Sequence, residues 1–184
     1  DKLCSEAEIA VREGYKHLIL SDKKISEKKA PIPMILAFGA INSKLINLGI
    51  RGFVSINVQT AEALDTHSFA VLLGVGATTI NPYLVFDSIY QRYEKKLFGK
   101  FNYKECIQRY IKSVDSGLLK IMSKMGISVL SAYRGGCNFE AVGISRAIVA
   151  EYFPGMISRI SGIGIFGIEA KIKELHKKAF QKNV

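Results

Sequence analysis

The chain has 184 residues, of which 48% are hydrophobic, and this length and composition suit one domain with a buried core. Its net charge is +10, but lysine dominates, so a solvated lysine face is favoured over a nucleic-acid site. The apolar runs are too short and too often broken by glycine to span a bilayer, and no signal-peptide pattern opens the chain. Three dispersed cysteines (Cys4, Cys106 and Cys137) predict free thiols in a reducing compartment and match no metal-ligand spacing.

The first half of the chain alternates helices and strands. Helices are predicted at 5–14, 34–48, 60–73 and 81–95, and strands at 17–20, 53–58 and 78–80. Such alternation favours a parallel sheet with crossover helices. Because the strands are continuous apolar runs, we expect both faces of the sheet to be covered. The predicted fold class is therefore α/β, an open, mainly parallel sheet with flanking helices in Rossmann-like or flavodoxin-like layers.

The second half is mainly helical. One long amphipathic helix is predicted at 103–125, followed by a short strand at 126–130, a short helix at 145–153 and a charged helix at 168–181. We therefore expect an α/β part at 1–100 and a C-terminal helical extension at 101–184, packed as one compact domain. The chain starts abruptly at Asp1, in a stretch that looks helical, and we therefore expect a fragment of a longer protein.

Polar residues follow each predicted strand, at Ser21–Asp22, Gln59–Thr60 and Asn81–Pro82. In open parallel sheets, ligands bind outside these carboxyl ends. Asn81 is also predicted to cap the next helix, with Pro82 at its first position. His67 lies two residues after Asp65, but residues at this spacing do not face each other on a helix. We expect His67 to hydrogen-bond a loop near the carboxyl edge of the sheet.

A G-x-G-x-x-G pattern at Gly162, Gly164 and Gly167 opens the last predicted helix. Free amides at a helix N-terminus can hold a phosphate. A dinucleotide fingerprint, however, needs a preceding strand and an acidic residue about twenty positions later. The preceding MISRIS is a poor strand and the chain ends too soon, so a flexible connector is favoured over a phosphate site.

The segment YRGGCNFE gathers Arg134, Gly135, Gly136, Cys137 and Glu140. A nucleophilic cysteine needs a base, usually histidine, and none is near in sequence. An arginine can clamp a carboxylate or phosphate through two hydrogen bonds. The favoured interpretation is a glycine turn that Arg134 fixes by hydrogen bonds to backbone carbonyls or to Glu140.

Three motifs in this region resemble one family. Lys120–Ser128 is similar to the pattern K-x-M-S-K-M-G-I-S, Tyr133–Gly135 to S-Y-R-G-A, and Phe139–Gly143 to F-E-A-V-G-L. SRISGIG downstream and several segments upstream, among them PIPMILAFGAIN and THSFAVLLGVGATTINPYL, follow the family order. Together they resemble the central domain of the large, FMN-containing chain of glutamate synthases. Gly136, Ser68 and Ser161 depart from the usual pattern of Ala, His and Gly at these positions.

The resemblance implies a connecting domain between an amino-terminal glutaminase domain and an FMN-binding barrel. It implies a parent enzyme that makes two glutamates from glutamine, 2-oxoglutarate and two electrons, with FMN, a 3Fe-4S cluster and a reduced electron donor. It also implies a small electron-transfer subunit or ferredoxin as a partner. The implied compartment is the cytoplasm, or the plastid in an organism that has one. No catalytic, cofactor-binding or metal-binding residue is carried over to this chain.

The candidate residues are therefore structural or inter-domain ones: Arg134, Gly135, Gly136, Glu140, His67, Asn81 and Arg159. Two alternatives stay open. One is a free-standing phosphate- or nucleotide-binding α/β module, and the other is a nucleic-acid-binding fragment, which only the charge supports.

Overall fold

The computed structural model describes residues 1–181. The strands are β1 (His17–Ser21), β2 (Ser55–Gln59) and β3 (Thr79–Asn81). The helices are α1 (Lys2–Arg12), α2 (Met34–Asn47), α3 (Thr66–Gly74), α4 (Tyr83–Glu94), α5 (Tyr103–Lys124), α6 (Leu130–Tyr133), α7 (Arg146–Tyr152) and α8 (Ile165–Phe180). A 3-10 turn, Arg51–Phe53, leads into β2.

The three strands form a parallel sheet in the order β1-β2-β3, which confirms the predicted α/β class. His17 pairs with Ser55 and Asn57 pairs with Thr79. Each crossover contains one helix, α2 and then α3. Right-handed crossovers that advance in one direction place both helices on the same face of the sheet.

Only that face of the sheet is buried within residues 1–181. Ile56 and Val58 are 0% and 1% exposed, whereas Ile19, on the other face, is 72% exposed. The open face carries polar pairs, with Ser21 Oγ donating to Gln59 Oε1 at 2.8 Å and Thr79 Oγ1 donating to Asn57 Oδ1 at 2.7 Å. The expectation of two covered faces is therefore wrong for this part of the chain, because SINVQ alternates polar and apolar residues.

Helix α2 lies at the centre of the core. Phe38 and Leu45 are fully buried, and the amphipathic face predicted for this helix is confirmed. Helix α7 packs on α2, where the Ser43 hydroxyl donates to the carbonyl of Tyr152 at 3.1 Å. Helix α5 packs against α3 and α4, so the helical second half is joined to the sheet through α3.

Some predicted elements were placed wrongly. Helix α3 begins at Thr66 and not at Thr60, because the Asp65 carboxylate accepts the Ser68 N–H and caps the helix there. The strand predicted at 126–130 is absent, since this segment leads into α6. Helix α8 begins at Ile165, three residues before the prediction, and residues 182–184 of the predicted extension lie outside the described residues.

Asn81 also differs from its predicted role. It is the last residue of β3, and Pro82 occupies the N-cap of α4 without a side-chain cap. In the part of the chain that the structure describes, no helix combines the length and apolar character needed to cross a membrane.

Candidate functional site

Asp22 organises the carboxyl edge of the sheet. It follows β1, and its carboxylate accepts hydrogen bonds from the Thr60 hydroxyl (2.6 Å) and the Ala61 backbone N–H (3.0 Å). Thr60 is fully buried, and its own N–H donates to the carbonyl of Asn81 at 3.0 Å. Burial and the charge of Asp22 raise the pKa of Tyr83 to about 12. The polar residues that follow the strands lie together at this edge, and their polar groups mainly join the strand ends.

Glu62 connects this edge to α2. Its Oε2 accepts the backbone N–H of Met34 at 2.9 Å, and so takes the place of a capping side chain at a helix whose N-cap is Pro33. Partial burial of the carboxylate against α2 raises the pKa of Glu62, and the charge of Asp22 adds to the rise. Sequence reasoning missed Glu62, because its partner lies in a distant segment.

His67 lies in the first turn of α3 and is exposed. Asp65 does not orient it, since Asp65 Oδ1 accepts from the N–H (2.9 Å) and the hydroxyl (2.7 Å) of Ser68. These hydrogen bonds lower the pKa of Asp65. The carboxylate is therefore used to cap the helix, and the geometry of a general base and its orienting acid is not formed.

The segment 133–139, which we call the arginine turn, docks on the C-terminal end of α3. The Tyr133 hydroxyl donates to the carbonyl of Ala70 at 3.0 Å, and Tyr133 is only 1% exposed. The N–H groups of Gly135 and Cys137 donate to the carbonyls of Leu73 and Gly74, each at 3.1 Å. The turn thus satisfies carbonyls that a helix leaves without internal partners.

Backbone geometry makes this turn specific. Gly135 has φ +74°, which a glycine adopts without strain, and Cys137 has φ +49°, which is costly for a residue with a Cβ. The ring of Phe139 lies so close to Gly74 that a Cβ at that position would overlap it. Burial raises the pKa of the Cys137 thiol, which is the opposite of what a nucleophilic cysteine requires.

Glu140 lies beside Arg159, with 3.2 Å between its Oε2 and the Arg159 Nη1, and not beside Arg134 as one interpretation of the sequence expected. Arg134 is exposed. Within residues 1–181 its guanidinium makes no hydrogen bond and no ion pair, so the turn is held by backbone N–H groups and by Tyr133.

Arg51 lies beneath the arginine turn and was not identified from the sequence. Its guanidinium donates to Asn42 Oδ1 (2.6 Å) and to the carbonyls of Val54 (2.7 Å) and Gly76 (3.0 Å). Burial and the charge of Arg134 lower the pKa of Arg51. The segments before β2 and β3 meet here, so Arg51 and the arginine turn lie at the amino edge of the sheet, opposite Asp22.

Two motifs of the second half run side by side. Gly143 donates its N–H to the carbonyl of Ile160 (2.9 Å) and accepts the N–H of Ile163 (3.0 Å). Gly162 packs directly on the Gly143 backbone, with no room for a Cβ. The Arg146 guanidinium holds the same loop through the carbonyls of Ser158 (3.2 Å) and Arg159 (2.7 Å). Gly162 is therefore a packing residue, which gives the phosphate-binding alternative no support.

The three cysteines do not fit an iron–sulfur cluster. Cys4 lies in α1, Cys106 is buried in α5, and Cys137 lies at the amino edge of the sheet. Across residues 1–181, no three His, Cys, Asp or Glu side chains gather in a way that could hold a metal ion.

An apolar groove of about 650 Å³ separates α8 from α1 and α2. Its walls include Leu36 and Ala40 of α2 and Ile168 and Ile172 of α8, and Lys44 and Glu169 lie among its polar lining residues. The His176 Nε2 donates to the carbonyl of Ser26 at 2.9 Å and holds the far end of α8.

This geometry defines an α/β domain whose most distinctive residues are used in packing and turn formation. Residues 1–145 match the family model described as glutamate synthase central domain. The chain is 54% identical over 183 residues to the glutamate synthase [NADPH] large chain of Azospirillum brasilense, with 100% of this chain and 12% of that protein aligned. It is 43% identical over 177 residues to the corresponding large chain of Bacillus subtilis, with 96% and 12% aligned.

A third relative is the ferredoxin-dependent glutamate synthase of Pyropia yezoensis, 40% identical over 192 residues, with 98% of this chain and 12% of that protein aligned. The chain belongs to the glutamate synthase central domain family. It spans about 12% of the length of these relatives.

Proposed function

We propose that the chain is the connecting domain of a glutamate synthase large chain. The complete protein would convert glutamine, 2-oxoglutarate and two electrons into two glutamates. The alignment of nearly the whole chain with proteins named glutamate synthase supports this proposal. Because the chain covers about 12% of those proteins, we assign catalysis, FMN and the 3Fe-4S cluster to neighbouring domains, a glutaminase and an FMN barrel.

One observation supports the connecting role most directly: the characteristic motifs hold the fold of this domain together. The arginine turn caps α3, Gly143 and Gly162 join two segments, and Asp22 joins strand ends. Side chains left exposed beside these structures are the inter-domain candidates, namely His67, Asn81, Arg134 and Arg159. In this proposal those exposed side chains are held in position by Gly135, Gly136 and the Glu140 carboxylate. Loops at the sheet edges would line part of an internal path for ammonia.

We infer the electron-transfer partner of the complete protein from the names of its relatives. Their names include NADPH and ferredoxin, so the electron donor is a reduced nicotinamide acting with an electron-transfer subunit, or ferredoxin. We place the protein in the cytoplasm or, in a plastid-bearing organism, in the plastid, as for the chloroplastic relative of rice.

Arg134→Ala in the full-length protein tests the coupling role. We expect glutamate formation from ammonia to persist, while glutamine hydrolysis exceeds glutamate formation from glutamine by several-fold. The measurement is the ratio of glutamine consumed to 2-oxoglutarate consumed. Arg92→Ala, at an exposed arginine of α4, is the control and should keep the two rates equal.

Equal rates in Arg134→Ala, with only a lower stability, would assign Arg134 a purely structural role. A wild-type protein that forms no glutamate from glutamine and 2-oxoglutarate would instead contradict the proposed enzyme as a whole.

A further inference from the structure

Arg51 and Arg134 approach the same turn of the chain from two sides. Arg51 donates to the carbonyl of Gly76 at 3.0 Å. Gly135, the neighbour of Arg134, packs over the same residue, since a Cβ on Gly135 would lie 3.9 Å from the Gly76 Cα. The two arginines therefore belong to segments that meet at Gly76, at the amino edge of the sheet, and burial and the charge of Arg134 lower the pKa of Arg51. We call these two residues the arginine pair.

The positive charge of the arginine pair is not balanced within residues 1–181. The acceptors of Arg51 are an amide oxygen and two backbone carbonyls, all of them neutral. Neither arginine takes part in any of the ion pairs of these residues. Two like charges repel each other and favour a negative partner. Since a guanidinium has five N–H donors, both groups keep donors for a further acceptor.

The backbone beneath Arg134 is held in one conformation. The buried Tyr133 and the N–H groups of Gly135 and Cys137 fix both ends of the turn on α3. Cys137 keeps φ +49°, a backbone conformation that costs energy and persists where the surroundings impose it. A side chain on a fixed turn loses less backbone freedom on binding, which favours recognition.

We propose that Arg134, supported by Arg51, binds the carboxylate of an Asp or Glu side chain in another domain of the same polypeptide. This rests on the proposed function, in which the chain is one domain of a longer protein. A planar carboxylate matches the fork of a guanidinium and accepts two parallel hydrogen bonds from it. The relatives extend far beyond the aligned region, which spans 12% of their length, so a protein carboxylate is the source to which we commit.

Zero-length cross-linking in the full-length protein tests this inference. Arg134→Lys keeps the positive charge and introduces an amine, which a carbodiimide joins to a carboxylate in direct contact. Peptide mass spectrometry then identifies the partner. Arg92→Lys, at an exposed arginine of α4, is the matched control. We expect a cross-link from position 134 to an Asp or Glu outside residues 1–184, at least about fivefold above the control.

A cross-link only to residues 1–184, one to a separate protein, or none above the control would overturn the inference. Replacing the identified carboxylate by its amide should remove the cross-link. Far-ultraviolet circular dichroism checks that Arg134→Lys is folded, which we expect because Arg134 is exposed. The readout needs no turnover. Absence of glutamate synthase activity would therefore contradict the proposed function without affecting the cross-linking result.

Discussion

Asp22 and Glu62 place two carboxylates at one edge of the sheet, and each has its own hydrogen-bond partners. Asp22 accepts hydrogen bonds from the Thr60 hydroxyl and the Ala61 backbone N–H. Glu62 accepts one backbone N–H, but its carboxylate is partly buried and lies near the charge of Asp22, so its pKa is raised. The contribution of Glu62 to stability therefore depends on pH.

Glu62→Gln should stabilise the chain near neutral pH. The pKa of Glu62 in the folded chain lies above its ordinary value of 4.5, so the folded chain binds this proton more tightly than the unfolded chain. The stabilisation that the wild type gains from this tighter proton binding is fully present below the ordinary value of 4.5. It is lost as the pH rises through the pKa of Glu62 in the folded chain. Gln keeps an acceptor for Met34 and carries no charge. We expect a gain of at most about 1 kcal/mol near pH 7, because solvent screens partly exposed charges.

Urea unfolding at a series of pH values measures this effect. The difference between variant and wild type should shrink towards about pH 4, where both side chains are neutral. Glu27→Gln, at an exposed glutamate of the loop before α2, is the control and should change stability by about 0.5 kcal/mol or less. A Glu62→Gln variant that is less stable than wild type at neutral pH would contradict the assignment.

At the scale of elements, a short stretch of parallel backbone pairing joins 140–145 to 157–163. Isolated bridges at Glu140–Ile157 and Ile144–Ile163 mark its two ends, and Gly162 crosses Gly143 between them. Arg146 adds two hydrogen bonds from the start of α7. The glycine at position 162 is thus explained by the close approach of two backbones, without a ligand.

Gly162→Ala should separate these two backbones. The added Cβ would overlap main-chain atoms of Gly143, which cannot rotate away as a side chain can. We expect a loss of about 1–3 kcal/mol, as for other overpacked sites. Gly52→Ala is the control, since its Cβ would enter open space, and it should change stability by about 0.5 kcal/mol or less. Equal unfolding midpoints in urea for the two variants would contradict the close packing.

The regular elements could be predicted because each depends on local pattern. The bounds predicted for α2 and for the long amphipathic α5 are confirmed within one residue, and the order of helices and strands in the first half is confirmed, although α1 and α3 begin at other residues than predicted. The start of α3 was missed because two capping residues compete, and Asp65 caps the helix while Thr60 bonds to Asp22. Local sequence does not rank such choices, which depend on a partner 38 residues away.

The candidate site was predictable only in part for the same reason. The strand ends that carry polar residues were identified from the sequence, and these residues lie together because parallel strands end at one edge. The surroundings of Arg134 were not predicted. Glu140 pairs with Arg159 and not with Arg134, and Arg51, which lies about eighty residues earlier in the sequence, contacts the same region. Both outcomes follow from tertiary packing that no local spacing encodes.

At the scale of the whole molecule, α8 is anchored by few contacts. It contains no buried residue, and its two ion pairs, Glu169–Lys173 and Glu174–Lys178, are internal to the helix. Its contacts with the body include Ile168, which packs against the core at the wall of the apolar groove, and the His176 hydrogen bond. The core strand β2, in contrast, holds Ile56 and Val58 at 0% and 1% exposure. Stability is therefore uneven, and α8 should open independently of the sheet.

Amide hydrogen exchange tests this independence. We expect α8 amides to exchange faster than those of β2, because local opening of α8 exposes little apolar surface. Ile172→Ser should weaken docking in the groove by about 1 kcal/mol and so speed exchange in α8 about fivefold, with β2 unchanged. Phe166→Ser carries the same helix-propensity change at a side chain that is 82% exposed, and it should leave the α8 rates nearly unaltered. If Ile172→Ser accelerated β2 and α8 equally, α8 would unfold together with the core, and the groove would be part of one cooperative unit that spans the sheet and all its helices.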